Sequence, residues 1–480
     1  MPSPVDLADD ALGRLVERLT TSHHRRRLRR VGMDGAIDPG FELWASGEPP
    51  PRPGNAVRIL IDGKDALAEM AEAMQTARSH VHITGWHVSP DFQLTRGENP
   101  IALRDLLAQL ASRVQVRVLV WAGAPLPVLR PWRGDVRRNR DRLCSGTRIQ
   151  CALDAHERPM HCHHEKTIVI DDRIAFVGGI DLTNFNGDRW DFPHHPPRES
   201  DGWHDVATRL EGPAVRDVAD NFLLRWHATT GERLPPVDSP APAGDIEVEI
   251  VRTMPDHMYA ERPQGDFRIL ESYLAALRSA RRFVYLENQF LWSPEIVAVL
   301  REKLSHPPTP DFRLVVVLPS RPNNGGDDTR GQLGTLVQAD DGGGRLLACT
   351  LYAAGADRDW PVYVHAKVGV VDDAWMTIGS ANLNEHSLFN DTEMNIVVRD
   401  LALIRETRLR LWAAHLGRPA EDIAGDPGGV IDRIWKPIAE EQAERRRRGQ
   451  RLTHRLATLP GISRRSRLLL GPLQGLVVDA

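Results

Sequence analysis

The sequence predicts an α/β protein built as two similar lobes, with one site at the interface between them. Three observations point there: an internal repeat at an offset of about 200 residues, alternating strand-like and helix-like segments, and one short motif present in both halves. VRILIDGKDALAEMAEAMQTARSHVHITGW (57–86) reads as strand, helix, strand, with Leu67, Met70 and Met74 at helical spacing. FRILESYLAALRSARRFVYLENQF (267–290) repeats the helix and strand, and VQVRVLVW (114–121) is answered by FRLVVVLP (312–319). An irregular loop is expected after each run, Arg-rich at 129–146 and rich in Gly, Asn and Asp at 320–332. Strand pairs follow at 163–179 and 364–380, then closing helices at 212–230 and 400–417. The expected organisation is an N-terminal extension (1–54), a first lobe (55–232), a Pro/Gly-rich linker (233–245), a second lobe (246–418) and a basic C-terminal extension (419–480).

At 480 residues, with 41% hydrophobic and 26% charged residues, the composition is that of a globular chain. Four cysteines are too few for a disulfide scaffold. The N-terminus does not read as a signal peptide, and no apolar run is long enough to span a bilayer. Residues 445–480 hold nine arginines and one aspartate, a local +8; with a net charge of −4, the other 444 residues carry −12. A second basic cluster is Arg25, Arg26, Arg27, Arg29 and Arg30. Basic flanks on an acidic body suit an anionic surface, although solvated helix faces also carry such runs. The expectation is a cytoplasmic protein, peripheral at the inner face of the cell membrane. The acidic body argues against nucleic acid as partner. The run 468–478 is too short to span and is broken by Gly471-Pro472, so it reads as an interfacial or a docked tail.

Only five of 61 basic residues are lysines, and two of the five lie in the repeated motif. His164-x-Lys166-x4-Asp171 and His365-x-Lys367-x4-Asp372 share the pattern H-x-K-x4-D, 201 residues apart. Roughly 0.02 chance copies of this pattern are expected per chain. Residues two apart on a strand point to one face, so each lysine joins its histidine there. Histidine transfers protons or attacks near neutral pH, and lysine offers a point charge to phosphate oxygens. Asp171 and Asp372 have the opposite parity and precede a second aspartate, so they read mainly as hairpin-turn residues. GGID and GSAN set Asp181 opposite Asn382, and small residues there, including Ser380, let backbone approach a ligand. Asp191 and Glu393 lie 27 and 28 residues after the two histidines and are expected to orient the imidazoles. Cys151, His156, His161, Cys162 and His163 lack regular ligand spacing, so no metal site is expected.

The doubled motif, with GGID and GSANLN behind its copies, resembles the phospholipase D superfamily. GWHVSPDFQL, RWD, WHDVATRLEGPAVRDVADNFLLRW, YLENQFLW and the run from YVHAK to MNIVV resemble the catalytic core of phosphatidylcholine-type phospholipases D, over about residues 55–415. The resemblance implies a bilobal fold and a metal-independent reaction through a phosphohistidine, with no cofactor. It implies His164 as nucleophile and His365 as the acid, roles that the near-symmetric motifs allow to be exchanged. Lys166, Lys367 and Asn382 would hold the non-bridging oxygens of a glycerophospholipid phosphate. A cardiolipin-synthase-like transferase and a nuclease are the alternatives within the same chemistry, and an inactive membrane scaffold is the alternative outside it.

Overall fold

A computed structural model describes residues 4–185, 187–190, 202–323 and 326–460. The tail at 468–478 and Asp191 lie outside the described residues. The repeat is visible strand by strand. In the first half the sheet order is Arg52–Ile61, Val206–Glu211, Ile174–Gly178, Thr167–Ile170, His80–Gly85, Gln115–Trp121, Gln150–Asp154. The second half repeats it as Ile246–Met254, Glu393–Val398, Trp375–Gly379, Val368–Val371, Phe283–Glu287, Arg313–Val317, Leu346–Ala354. In each, the last three strands are parallel and the others antiparallel. Arg52 and Asn55 pair with Val248 and Ile246, so the two sheets form one hydrogen-bonded network.

A central core draws on both sheets, including Ile59, Val177, Leu210, Val248, Tyr285 and Ile396. The helices Gly63–Gln75 and Leu103–Ala111 cover the outer face of the first sheet, and Arg268–Ser279 and Pro294–Ser305 that of the second. The closing helices Val215–Thr230 and Leu401–Leu416 each stop at a left-handed glycine, Gly231 (φ 76°) and Gly417 (φ 61°), where no Cβ hinders the turn.

Two segments expected to be irregular fold as helices, Arg133–Cys144 and Gly326–Asp340. The first contains no proline and is dominated by arginine, a good helix former, with Arg138 bonded one turn back to Asp135. Charge density masked the helix because its apolar stripe is only Val136 and Leu143.

The flanks are packed onto the second half. Helix Pro4–Arg30 inserts Arg27, whose Nε meets Asp256 at 2.6 Å and whose Nη1 meets Asn390 at 2.8 Å. His24 stacks on Phe389 at 3.7 Å; burial opposes its charge, but Glu295 and Glu385 outweigh burial and raise its pKa to about 9. At the other end Leu456–Thr458 pairs with Leu346–Ala354. Several arginines of the C-terminal flank are engaged: Arg446 lies over Tyr352, and Arg451 reaches Asp359 at 3.1 Å.

Glu249, on Ile246–Met254, accepts the Ala45 N–H at 3.1 Å through one oxygen, while the other is buried without a partner. Burial pushes its pKa up to about 8. A carboxyl whose folded pKa is raised favours folding below its unfolded value near 4.5 and loses that contribution as pH rises through about 8. Glu249→Gln should therefore match the parent in thermal unfolding at pH 5 and exceed it at pH 9, by roughly 1–3 kcal/mol.

Candidate active site

The site forms where each half enters the other. His163 bridges to Thr392 in parallel, and the His164 N–H donates to the Thr392 carbonyl at 2.9 Å. In the mirror arrangement Gly202–His204 runs parallel to Asp359–Val364, and the His365 and Ala366 N–H groups donate to the His204 carbonyl at 2.8 and 3.0 Å. Each motif is thus stitched to the strand that leads to a carboxylate of the opposite half. Glu393 Oε1 lies 2.9 Å from His164 Nδ1, and Asp205 Oδ2 lies 2.6 Å from His365 Nδ1. The two imidazoles face each other with centroids 6.5 Å apart and planes at 69°. On each ring it is Nδ1 that the carboxylate holds, the contact that sets the tautomer and orientation of the imidazole.

Each lysine is tied to the backbone of its own histidine. Lys166 Nζ donates to the His164 carbonyl at 2.7 Å and sits 3.2 Å from Asp181 Oδ2. Lys367 Nζ donates to the His365 carbonyl and approaches Gln289 Oε1 at 3.4 Å, an oxygen that also receives Asn382 Nδ2 at 3.3 Å. Asp181 Oδ1 also accepts the Trp86 N–H at 3.0 Å, so Asp181 serves as counter-ion to Lys166. Trp86 stands edge-on to His164 with centroids 6.5 Å apart, and Trp203 lies 4.5 Å from His365.

Burial decides the charge states. His365 is held well below its ordinary value by burial first, then by Lys367, Lys166, Arg189 and His164. Burial raises Asp205 to about 6 against the pull of Lys367, and it lifts Glu393 well above the usual carboxylate range against Lys166. Lys367, Lys166 and Arg189 thus add a cationic field to the effect of burial at His365.

Several sequence expectations are revised here. Ser380 does not face the gap: its hydroxyl donates to Glu393 Oε2, and Ser387 donates to Oε1 at 2.6 Å. Both hydroxyls orient the carboxylate. Glu393, expected from its spacing to serve its own half, serves the histidine of the other half, and the group on His365 is Asp205, which the sequence did not single out. Asp205 and Glu393 occupy equivalent positions, since Gly179 and Ser380 donate to the carbonyls of the next residues, Val206 and Met394. They lie 41 and 28 residues after their own half's histidine, because the first half is longer there. Counting back seven residues from the starts of the expected closing segments, 212 and 400, would have aligned them. Arg189 was also missed. It is buried over the Trp203 ring at 3.9 Å, donates to the Thr183 carbonyl at 3.1 Å, and burial lowers its pKa to about 10.

Asp171 and Asp372 stand in hairpin turns at φ 52° and 54°. Asp171 accepts the N–H groups of Arg78, Ser79 and His80 at 2.7–2.9 Å; Asp372 accepts those of Arg281, Arg282 and Phe283 at 2.7–2.8 Å. They lock the next strand in register and do not reach the gap. Of the upstream residues set aside as metal ligands, His156 and His163 share Asp154 Oδ1 at 2.8 and 3.1 Å. His161 meets His386 at 2.9 Å beside Asp391, one of three groups among the described residues with the donor types and spacing to hold a cation.

Two opposed imidazoles, each backed by a carboxylate from the other lobe and by its own lysine, define a duplicated α/β chain with a single shared two-histidine site. The chain belongs to the phospholipase D superfamily. A family model described as "Phospholipase D" matches residues 73–202, and one described as "Cardiolipin synthase, PLD-like domain" matches 273–412. Among curated relatives, Phospholipase D A of Dictyostelium discoideum is 26% identical over 466 residues, covering 77% of this chain and 36% of that one. Phospholipase D alpha 4 of Arabidopsis thaliana is 25% identical over 498 residues, covering 75% and 64%. The chain thus spans about one third to two thirds of the length of these relatives. The crystal structure of a phosphatidylserine synthase of Haemophilus influenzae shares the fold, with a TM-score of 0.50 at 11% identity over 74% of this chain and 86% of that one.

If Asp205 orients His365, Asp205→Asn should reduce turnover of bis(4-nitrophenyl) phosphate by on the order of 100-fold. Because His365 acts as the acid, loss of the proton carried by the Asp205–His365 pair as pH rises through about 6 should produce the alkaline limb of kcat/KM, and that limb should shift in the variant. An unchanged pH profile would assign Asp205 to folding alone.

Proposed function

We propose that the protein is a phospholipase D, cleaving the distal phosphodiester of a glycerophospholipid to phosphatidic acid and a free head-group alcohol. The observation that carries this reading is the opposition of His164 and His365 at 6.5 Å, each tied through Nδ1 to a carboxylate of the other half. The names of the curated relatives supply the substrate class. The acidic body weighs against a nuclease. The basic flanks favour a peripheral place on an anionic membrane, at the cytoplasmic face.

His164 Nε2 attacks phosphorus, the bond from phosphorus to the head-group oxygen breaks, and His365 Nε2–H protonates the leaving alkoxide. Burial first, then Lys367, Lys166 and Arg189, disfavour a charged His365, and the phosphate's own negative charge offsets the cationic part, so binding favours the imidazolium needed for this step. The lysines and the Asn382 amide stabilise charge growing on the non-bridging oxygens. In the second step water enters the vacated site, His365 removes its proton, and the phosphorus–nitrogen bond breaks to release phosphatidic acid. The near-symmetric motifs also allow the exchanged roles. A phosphatidyl transferase that passes the same intermediate to a lipid alcohol is the second reading, favoured by the family model matched in the second half.

Nothing in the motif distinguishes water from a small alcohol at the second step. With ~1% butanol, phosphatidylbutanol should form at the expense of phosphatidic acid. Phosphatidic acid as the sole product at every alcohol concentration, or loss of turnover in EDTA, would refute this route. His164→Ala and His365→Ala should each abolish hydrolysis, and the double variant should be little worse, because the two act as one unit.

A further inference from the structure

The loop between strand Gln115–Trp121 and helix Arg133–Cys144 has an unusual tip. Pro125, Leu126, Pro127 and Val128 are all exposed, with Leu126 at 54% and Val128 at 84% exposure. Four consecutive apolar residues in water are costly to keep without a partner. The foot of the loop is closed, since the Ala124 N–H donates to the Pro131 carbonyl at 2.8 Å and the Arg133 N–H to the Ala124 carbonyl at 3.1 Å. Leu129 and Ala124 pack with Trp86, Trp121 and Cys162. Trp86 in turn stands 6.5 Å from His164. The tip therefore rises from the C-terminal end of the parallel strands on a fixed base, and that base packs on Trp86, the ring edge-on to His164.

The surroundings are cationic. Residues 130–148 hold seven arginines against two aspartates. Arg130 and Arg138, 57% and 66% exposed at their side chains, share the single carboxylate of Asp135 at the foot, and Arg138 also lies over Trp132. An apolar tip with two exposed guanidinium groups at its foot matches a surface that is anionic outside and apolar a few ångströms deeper.

We infer that the Pro125–Val128 tip inserts into the interfacial layer of an anionic phospholipid bilayer, with Arg130 and Arg138 on the phosphates, and so holds the mouth of the site against its substrate. The inference rests on the proposed action on glycerophospholipids. It places the membrane contact on the first half, at the entrance, independently of the arginines of the C-terminal flank.

The test compares the full chain with Leu126→Asp/Val128→Asp and with Arg130→Gln/Arg138→Gln. Probes are vesicles of phosphatidylcholine, alone or with phosphatidylglycerol, and dibutanoylphosphatidylcholine as a monomeric soluble lipid. The tip variant should partition onto mixed vesicles ~10-fold more weakly and still split the soluble lipid within twofold of the parent. The arginine variant should lose ~10-fold on mixed vesicles only. Partitioning of the tip variant within twofold of the parent, or no partitioning by the parent, overturns the inference. A parent that is dimeric in solution beside a monomeric tip variant also overturns it, in favour of self-association. If no variant splits any lipid, the proposed activity fails, while vesicle partitioning still decides the role of the tip.

Discussion

The crossed carboxylate–imidazole pairs are the constraint on which the site depends. Glu393 and Asp205 each hold the histidine of the opposite half, and backbone bonds from His164 to Thr392 and from His365 to His204 run beside them. A buried chain of charge reinforces the seam: His204 lies 2.7 Å from Asp62 and 2.5 Å from Glu287, and Glu287 is 3.0 Å from His415. These groups come from both halves and none is exposed. Removing one member would strand a charge in the core, so the halves are fixed at the spacing the two imidazoles require.

The electrostatics follow from that geometry. Two lysines, a buried arginine and two histidines converge where water is scarce, and the two orienting carboxylates are themselves drawn toward neutrality by burial. Burial, then the neighbouring cations, keeps His365 uncharged. Under the proposed reaction an anionic substrate would offset those cations and tie proton donation to substrate arrival.

Much of this was legible in the sequence, for reasons that can be named. The repeat and the doubled motif exposed the duplicated α/β plan, because the alternation of strand-like and helix-like segments survives in both halves, whereas the strand order within each sheet was not readable. Parity placed Asp171 and Asp372 in turns, where their carboxylates cap the backbone of a neighbouring strand. The orienting carboxylates were less legible: Glu393 was picked out, but its exchange across the seam has no sequence signature, and unequal spacing hid Asp205. Ser380 was read as ligand-facing because small residues near a site suggest backbone approach, whereas its hydroxyl bonds to Glu393. The helix Arg133–Cys144 was masked by charge, and the packing of the flanks onto the second half depends on single buried contacts such as Arg27 with Asp256.

The exchange of carboxylates also bears on how such a chain can change over time. A polypeptide carrying one half would need a second copy of itself to complete either pair, at a concentration set by the cell. Joining two halves through 232–245 replaces that requirement with a fixed local concentration. It also frees the halves from being identical. The difference is already written into this protein: an aspartate on one side and a glutamate on the other, and a buried arginine, Arg189, that leans on His365. Covalent linkage allows one ring to specialise in attack and the other in proton transfer, a division of labour that a strictly symmetric dimer could not hold.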